Sequence, residues 1–254
     1  MAAGQGCGPA GRASRRTVSG QEPAAAEIAP GLYVVSTPIG NLGDLTGRAE
    51  EVLRRADFVA CEDTRHTGLL LHRLGIEGRL VSYHDHNKLR RTPEVLEMLR
   101  QGKRVALVSD AGTPGVSDPG FYLIRAAAAS GIRIVPVPGA SALLSALVVS
   151  GLPCDRFAFE GFLPRRDGRR RKRLQALATE PRTMVFFEPA RRLVPLLREM
   201  LELWGDRDVV VGRELTKLHE EVIRGRLAGL VEELVKRDLR GEATVVVAGH
   251  AGTA

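Results

Sequence analysis

The sequence predicts an α/β protein of two domains, and three observations lead there. From Gly31 onward, short apolar runs alternate with amphipathic stretches, the pattern of a mostly parallel sheet covered by helices. In the second half, two successive apolar runs are joined by a short turn, a hairpin signal missing from the first half, so the second sheet is mixed. Three apolar runs of the first half end abruptly in turns of small residues: Thr37-Pro-Ile-Gly40, Asp110-Ala-Gly-Thr-Pro-Gly115 and Pro138-Gly-Ala-Ser141. Buried parallel strands deliver ligand-binding loops at their carboxyl ends in this way, and three such ends point to one shared pocket for a small molecule.

Taken in order, the first strand is expected near residues 32–37, where Leu32-Tyr-Val-Val35 runs into the Pro38 turn, and a helix near 46–55 follows. Phe58-Val-Ala-Cys61 marks a second strand, near 57–61, that feeds a helix near 64–74. Asp63 and Thr64 both stand where a helix cap belongs. A short strand near 79–82 and a helix near 92–101 lead to the central strand, 104–109, which ends in Asp110. A helix near 119–130 and a strand near 132–136 complete the first sheet. The small-residue segment Ala140 to Val149 reads as a further helix. Beyond it, strands are expected near 156–160, 183–187, 207–213, 219–224 and 243–248, with helices near 170–179, 190–203 and 226–237. Residues 1–29, rich in Ala, Gly, Ser and Pro without periodicity, read as a disordered tail. The first domain then covers 30–139 and the second 140–254, divided near Pro138-Gly139.

The 254 residues, 44% of them apolar, suffice for a substantial core and leave no case for global disorder. No run is long and apolar enough to span a bilayer, and the N-terminus lacks the apolar stretch of a secretory signal. Cys7, Cys61 and Cys154 stand far apart, which fits neither a disulfide framework nor a zinc ribbon and suits a reducing cytoplasm. His84-Asp-His86 is too short a cluster for a metal site, so no metal is expected. The Thr37 loop lacks the Lys-Ser/Thr ending of a phosphate loop and the GxGxxG spacing of a nicotinamide fold. Net charge is +7, and the excess gathers in Arg165-Arg-Asp-Gly-Arg-Arg-Arg-Lys-Arg173, seven cations against one anion. That block suits either a polyanion such as RNA or a solvated helix start.

In chain order, Pro38-Ile-Gly-Asn-Leu42, Glu62-Asp-Thr-Arg-His-Thr67, His84-Asp-His-Asn87, Ser109-Asp-Ala-Gly-Thr-Pro114, Asp118-Pro-Gly120 and Arg213-Glu-Leu-Thr-Lys217 resemble one family. It is the bacterial 16S rRNA cytidine 2′-O-methyltransferase I family, within the tetrapyrrole (corrin/porphyrin) methylase superfamily. The resemblance spans Gly31 to Gly249. It implies a class III S-adenosylmethionine methyltransferase fold, with the cofactor cleft between two α/β domains. It further implies a homodimer that methylates a cytidine ribose in the decoding region of the small ribosomal subunit. By the same resemblance Pro38, Ile39, Ala111, Gly112, Thr113, Val116, Ser141 and Ala142 contact S-adenosyl-L-methionine, and Phe187 and Leu215 flank its adenine. Asp110 suits the donor's amino acid, the orientation of its loop, or a simple Asx turn.

In-line attack on a sulfonium methyl calls for alignment rather than a metal. A ribose hydroxyl is a poor nucleophile, so a general base or tight alignment must compensate. Glu62, Asp63, His84, Asp85 and Glu188 are candidates, with Arg65 and Lys217 available to hold phosphate or lower a neighbour's pKa. With RNA as partner, Arg165, Arg166, Arg169, Arg170, Arg171, Lys172 and Arg173 become backbone contacts, joined by His84 and His86 and extended by Arg191 and Arg192. Aromatic residues are 4% of the chain, which argues against a stacking platform for single-stranded bases. Recognition is then expected to rest on shape and phosphates within an assembled particle. The rival readings are a methylase of a small tetrapyrrole-like substrate and a non-catalytic ribosome-assembly factor.

Overall fold

A computed structural model describes residues 28–250. Cys7 and nearly all of the expected tail lie outside the described residues. The first sheet is wholly parallel, with β1 (Gly31–Val35), β2 (Phe58–Cys61), β3 (Leu80–Ser82), β4 (Arg104–Leu107) and β5 (Ile134–Val137) in the order β3-β2-β4-β1-β5. Helices α1 (Gly47–Arg55) and α2 (Thr64–Arg73) cover one face, α3 (Lys88–Arg100) and α4 (Gly120–Ala129) the other. Side chains alternate along a strand, so each strand feeds both layers. Val35, Val59 and Cys61 pack with Ala49, Leu53 and Leu71 on one side, while Leu32, Ala60 and Leu107 pack with Val95, Leu99 and Leu123 on the other. Burial on two faces is why these strands read as unbroken apolar runs.

β1 and β4 lie side by side, and their onward connections leave in opposite directions, to β2 and to β5. A parallel sheet takes its ligand in the crevice at such a switch point.

The second sheet is mixed: β6 (Phe157–Phe162), β7 (Thr183–Pro189), β8 (Asp208–Arg213), β9 (Glu221–Arg226) and β10 (Glu242–Val247) run in the order β6-β7-β10-β8-β9, with only β6 and β7 parallel. Helices α6 (Asp167–Ala176), α7 (Leu193–Trp204) and α8 (Leu227–Leu234) bury one face around Met184, Phe186, Leu197 and Trp204. Helix α5 (Ala142–Ser150) covers the other with Ala146 and Leu147, against Val185, Val210 and Val246. Ile39, from the loop after β1, is buried in that same cluster and plugs one domain into the other.

One boundary departs clearly from expectation. Helix α3 begins at Lys88, with Pro93 inside it rather than at its start. The Thr92 hydroxyl donates to the Lys88 carbonyl at 2.7 Å, and the Asn87 side chain accepts from the His84 N–H at 2.9 Å and donates to the Ser82 carbonyl at 3.1 Å. This pinned turn offsets the backbone hydrogen bond that Pro93 cannot make.

Candidate functional site: the interdomain cleft

The switch-point loops are stitched into one unit. The Thr37 N–H donates to the Gly112 carbonyl at 2.9 Å and the Gly112 N–H to the Thr37 carbonyl at 3.1 Å. The Thr37 hydroxyl donates to the Ser109 carbonyl at 3.1 Å, and the Ser36 and Thr113 hydroxyls share a bond of 2.9 Å. Asp110 accepts from the Asp63 N–H at 3.2 Å, reaching across to the loop of the neighbouring strand. Asp118 closes the second loop by accepting from the Gly115 and Gly120 N–H groups at 2.8 and 2.7 Å. Where this loop meets the second domain, Ser117 Oγ lies 2.7 Å from where a Cβ on Gly161 would stand, at a β-bulge of β6. Only glycine allows that approach.

Between the sheets these loops wall a cleft of about 380 Å³. Ile39, Asp110, Ala111, Gly112, Thr113, Val116, Ser141, Ala142, Phe187 and Leu215 line it, as do Glu62, Glu188 and Lys217. Pro38 does not, because the chain turns the next side chain, Ile39, inward instead. Asp63 and Arg65 also stand outside the wall. The Asp63 carboxylate is committed to capping α2, accepting from the Arg65 N–H at 2.8 Å, and the 90% exposed Arg65 side chain folds back onto it at 3.1 Å. His84 is tied into its own turn, 3.2 Å from Asn87 Nδ2, and neither it, Asp85 nor His86 reaches the cleft.

Among the described residues the wall holds six carboxylates (Glu62, Asp110, Asp118, Glu188, Glu214 and Glu242) and one cation, Lys217. Partial burial, then Asp110, Asp118 and Asp85 in turn, push the Glu62 carboxyl above its ordinary pKa. Burial likewise raises Glu188, 2% exposed, against the pull of Arg192 at 2.9 Å and of Arg170. Its Oε1 makes no hydrogen bond among the described residues, since the Arg192 contact is one of charge without hydrogen-bond alignment. Lys217 lies over the first loop and donates to Glu214 and Glu242 at 2.9 and 3.1 Å. A Cβ on Gly40 would collide with its stem.

A sequence profile of the tetrapyrrole (corrin/porphyrin) methylases matches residues 31–231. The chain belongs to this family. Among curated relatives, the ribosomal RNA small subunit methyltransferase I of Micromonospora olivasterospora is 52% identical over 86% of this chain and 70% of the relative. The protein of the same name from Thermotoga maritima is 48% identical over 86% and 98%. The solved structures agree in fold: the methyltransferase CobJ superposes with a TM-score of 0.64 at 23% identity, over 88% of this chain and 95% of that one. Uroporphyrin-III C-methyltransferase from Thermus thermophilus, solved with S-adenosyl homocysteine, gives 0.59 at 23%, over 85% and 96%.

In this methylase fold the basic block starts α6, outside the cleft. Three of its cations are engaged within the protein: Arg170 with Glu199 at 2.6 Å, Arg171 with Glu202, and Arg173 with Glu160 at 2.6 Å. Arg165, Arg166, Arg169 and Lys172 are exposed and make no ion pair among the described residues. Arg192 serves Glu188.

Phe162, Glu214, Glu242 and Thr244 also line the cleft and went unrecognised in the sequence. Phe162 had a signal, an aromatic residue at a strand end one residue past a glycine. Glu214 stood inside the Arg213–Lys217 block, whereas Glu242 and Thr244 had no signal, because a mixed sheet sets β10 beside β8, Ala243 against Arg213.

Proposed function

We propose that the protein transfers a methyl group from S-adenosylmethionine to the ribose 2′-hydroxyl of a cytidine in 16S rRNA. The observation that carries this reading is about half identity, over 86% of the chain, with proteins named ribosomal RNA small subunit methyltransferase I. The cleft suits the donor. Its volume falls in the range of small-molecule sites. Ile39, Phe187 and Leu215 offer an apolar wall to a ring, and the carboxylate excess attracts a cation. Glu188 adds a buried carboxylate oxygen free to accept a hydrogen bond.

When bound, S-adenosylmethionine supplies an electrophilic methyl carbon. The chain holds and aligns the two reactants and takes up the hydroxyl proton. We assign that proton to Glu62, which reaches the cleft, makes no hydrogen bond among the described residues and has a raised pKa, a combination suited to a base. Glu188 is already neutralised by Arg192. Lys217, engaged by Glu214 and Glu242, ties the second sheet's loops together over the first loop. Cations outside and carboxylates inside divide the labour: a polyanion is drawn to the rim and repelled by the interior, so only the target ribose enters. The exposed apolar stripe of α5, with Leu144 at 52% and Val148 at 72%, is assigned to a second copy of the chain, and the protein to the cytoplasm.

The test is transfer of labelled methyl to small ribosomal subunits from a strain lacking this gene. Label in 16S rRNA, recovered as an alkali-resistant dinucleotide, is the expected result. Donor binding without label in rRNA, but with label in a tetrapyrrole, would overturn it in favour of the small-molecule reading.

A further inference from the structure

Outside the cleft, the most unusual surface lies where α3 and α4 start side by side at the carboxyl edge of the first sheet. Large apolar groups face solvent there: Leu89 is 71% exposed, Phe121 60% and Tyr122 39%. Aromatic rings mostly sit inside, and the chain has only seven Phe and three Tyr, so two adjacent exposed rings call for an occupant. Cations flank them. Lys88 Nζ donates to Asp85 at 2.8 Å and lies 5.9 Å from the centre of the Tyr122 ring, while Arg125, one turn beyond Phe121 on the same face of α4, makes no ion pair among the described residues and is the cation open to a phosphate.

This strip continues from the mouth of the cleft. A Cβ on Gly115 would stand 3.8 Å from the Phe121 nitrogen, so the loop after β4 lies against the start of α4. The same loop puts Val116 into the cleft wall and Ser117 against Gly161, beside Phe162, itself 58% exposed. Phe162, Val116, Phe121 and Tyr122 therefore lead from the cleft wall to the outer face, with Lys88 and Arg125 at the outer end. Rings for bases and cations for phosphates are what a single strand requires. A protein interface also gathers rings and Arg, but it is depleted in Lys, and here Lys88 stands over the Tyr122 ring.

We propose that Phe121 and Tyr122, with Lys88 and Arg125, hold the unpaired nucleotides that flank the target, an inference that rests on the rRNA reading above. It reverses the expectation drawn from aromatic content: the rings are few, but the fold gathers them along one path.

The experiment uses the full chain, small ribosomal subunits from a strain lacking the gene, and S-adenosylhomocysteine binding as the check on folding and on the cleft. Phe121→Ala and Tyr122→Ala should each raise KM for subunits about fivefold or more, the lower end of what loss of one base–aromatic stack does. They should raise KM more than they lower kcat and leave S-adenosylhomocysteine affinity intact, while Phe121→Trp and Tyr122→Phe recover. Arg125→Ala should reduce the salt-dependence slope of subunit binding by about one. An unchanged KM in the Phe121/Tyr122 double variant overturns the proposal. So does a loss of self-association in sedimentation, which would assign the strip to a second copy. Wild-type protein that methylates no subunit would instead overturn the rRNA reading and this inference with it.

Discussion

Replacing Asp118 by Ala should loosen the loop that carries Val116 and Ser117 into the cleft. Its Oδ1 accepts from two backbone N–H groups, at Gly115 and Gly120, and so holds both ends of a tight bend. Within that bend Ser117 sits at φ 64°, a left-handed conformation that costs a non-glycine residue about 1–2 kcal/mol and must be offset by its surroundings. Each bond to the half-buried carboxyl contributes about 1.5 kcal/mol. Losing both takes about 3 kcal/mol from the closed loop, roughly a hundredfold in its population. Calorimetric titration with S-adenosylhomocysteine should then show affinity falling between about tenfold and a hundredfold. Asp118→Asn keeps the accepting oxygen, and burial already pushes the Asp118 carboxyl pKa up, so the charge matters less than the atom. The Asn variant should bind within about fivefold of wild type. An Ala variant that binds like wild type, or an Asn variant as damaged as Ala, would refute the account of the loop.

Two further predictions concern stability and the basic helix. Asp57 accepts from the Arg104 N–H, Nε and Nη2 at 2.8, 3.0 and 3.0 Å, and that side-chain pairing lowers its pKa from 3.8 to about 2. A lowered carboxyl pKa stabilises fully above pH 3.8 and stops doing so as pH falls through about 2, so Asp57→Asn should cost about 2 kcal/mol in urea unfolding at pH 7. The deficit should shrink toward pH 2; one that stays constant with pH would exclude the ion pair as its cause. In α6, Arg170→Ala leaves Glu199 alone at 11% exposure and should cost about 3 kcal/mol. Arg169→Ala and Lys172→Ala should leave stability within about 0.5 kcal/mol but lower the salt-dependence slope of subunit binding by about one each. Equal behaviour of the three variants in denaturation and in salt titration would contradict this division.

The first sheet was legible because Val105-Ala-Leu-Val108 and its neighbours are buried on both faces and so carry no polar interruption. The three small-residue turns were legible as one site because parallel strands bring their carboxyl ends to one edge, and the cleft lies there. Asp63 as a cap could be read from its place before a helix, whereas the return of Arg65 onto it depends on a rotamer that sequence does not specify. Much of what escaped depends on residues distant in the chain. Lys217 is held by Glu214, three residues away, in a turn whose shape sequence does not specify, and by Glu242, 25 residues away. How far the block at 165–173 is neutralised was not legible, because Glu199 and Glu202, which engage Arg170 and Arg171, come from another helix. The first turn of α3, before the expected start near residue 92, depends on the hydrogen bonds of the Asn87 side chain, which sequence does not specify.

The burial of Ile39 has a kinetic corollary. Its backbone belongs to the first domain and its side chain to the core of the second. Swinging the domains apart would draw that side chain into water at about 1.5–3 kcal/mol, and the Thr37–Gly112 clamp would drag the neighbouring loop with it. Fewer than about a tenth of the molecules can stand open in that way at equilibrium. Any passage of donor or spent donor that needs the halves to part therefore meets a cost set by one side chain, so trimming Ile39 would ease opening without touching a reacting group.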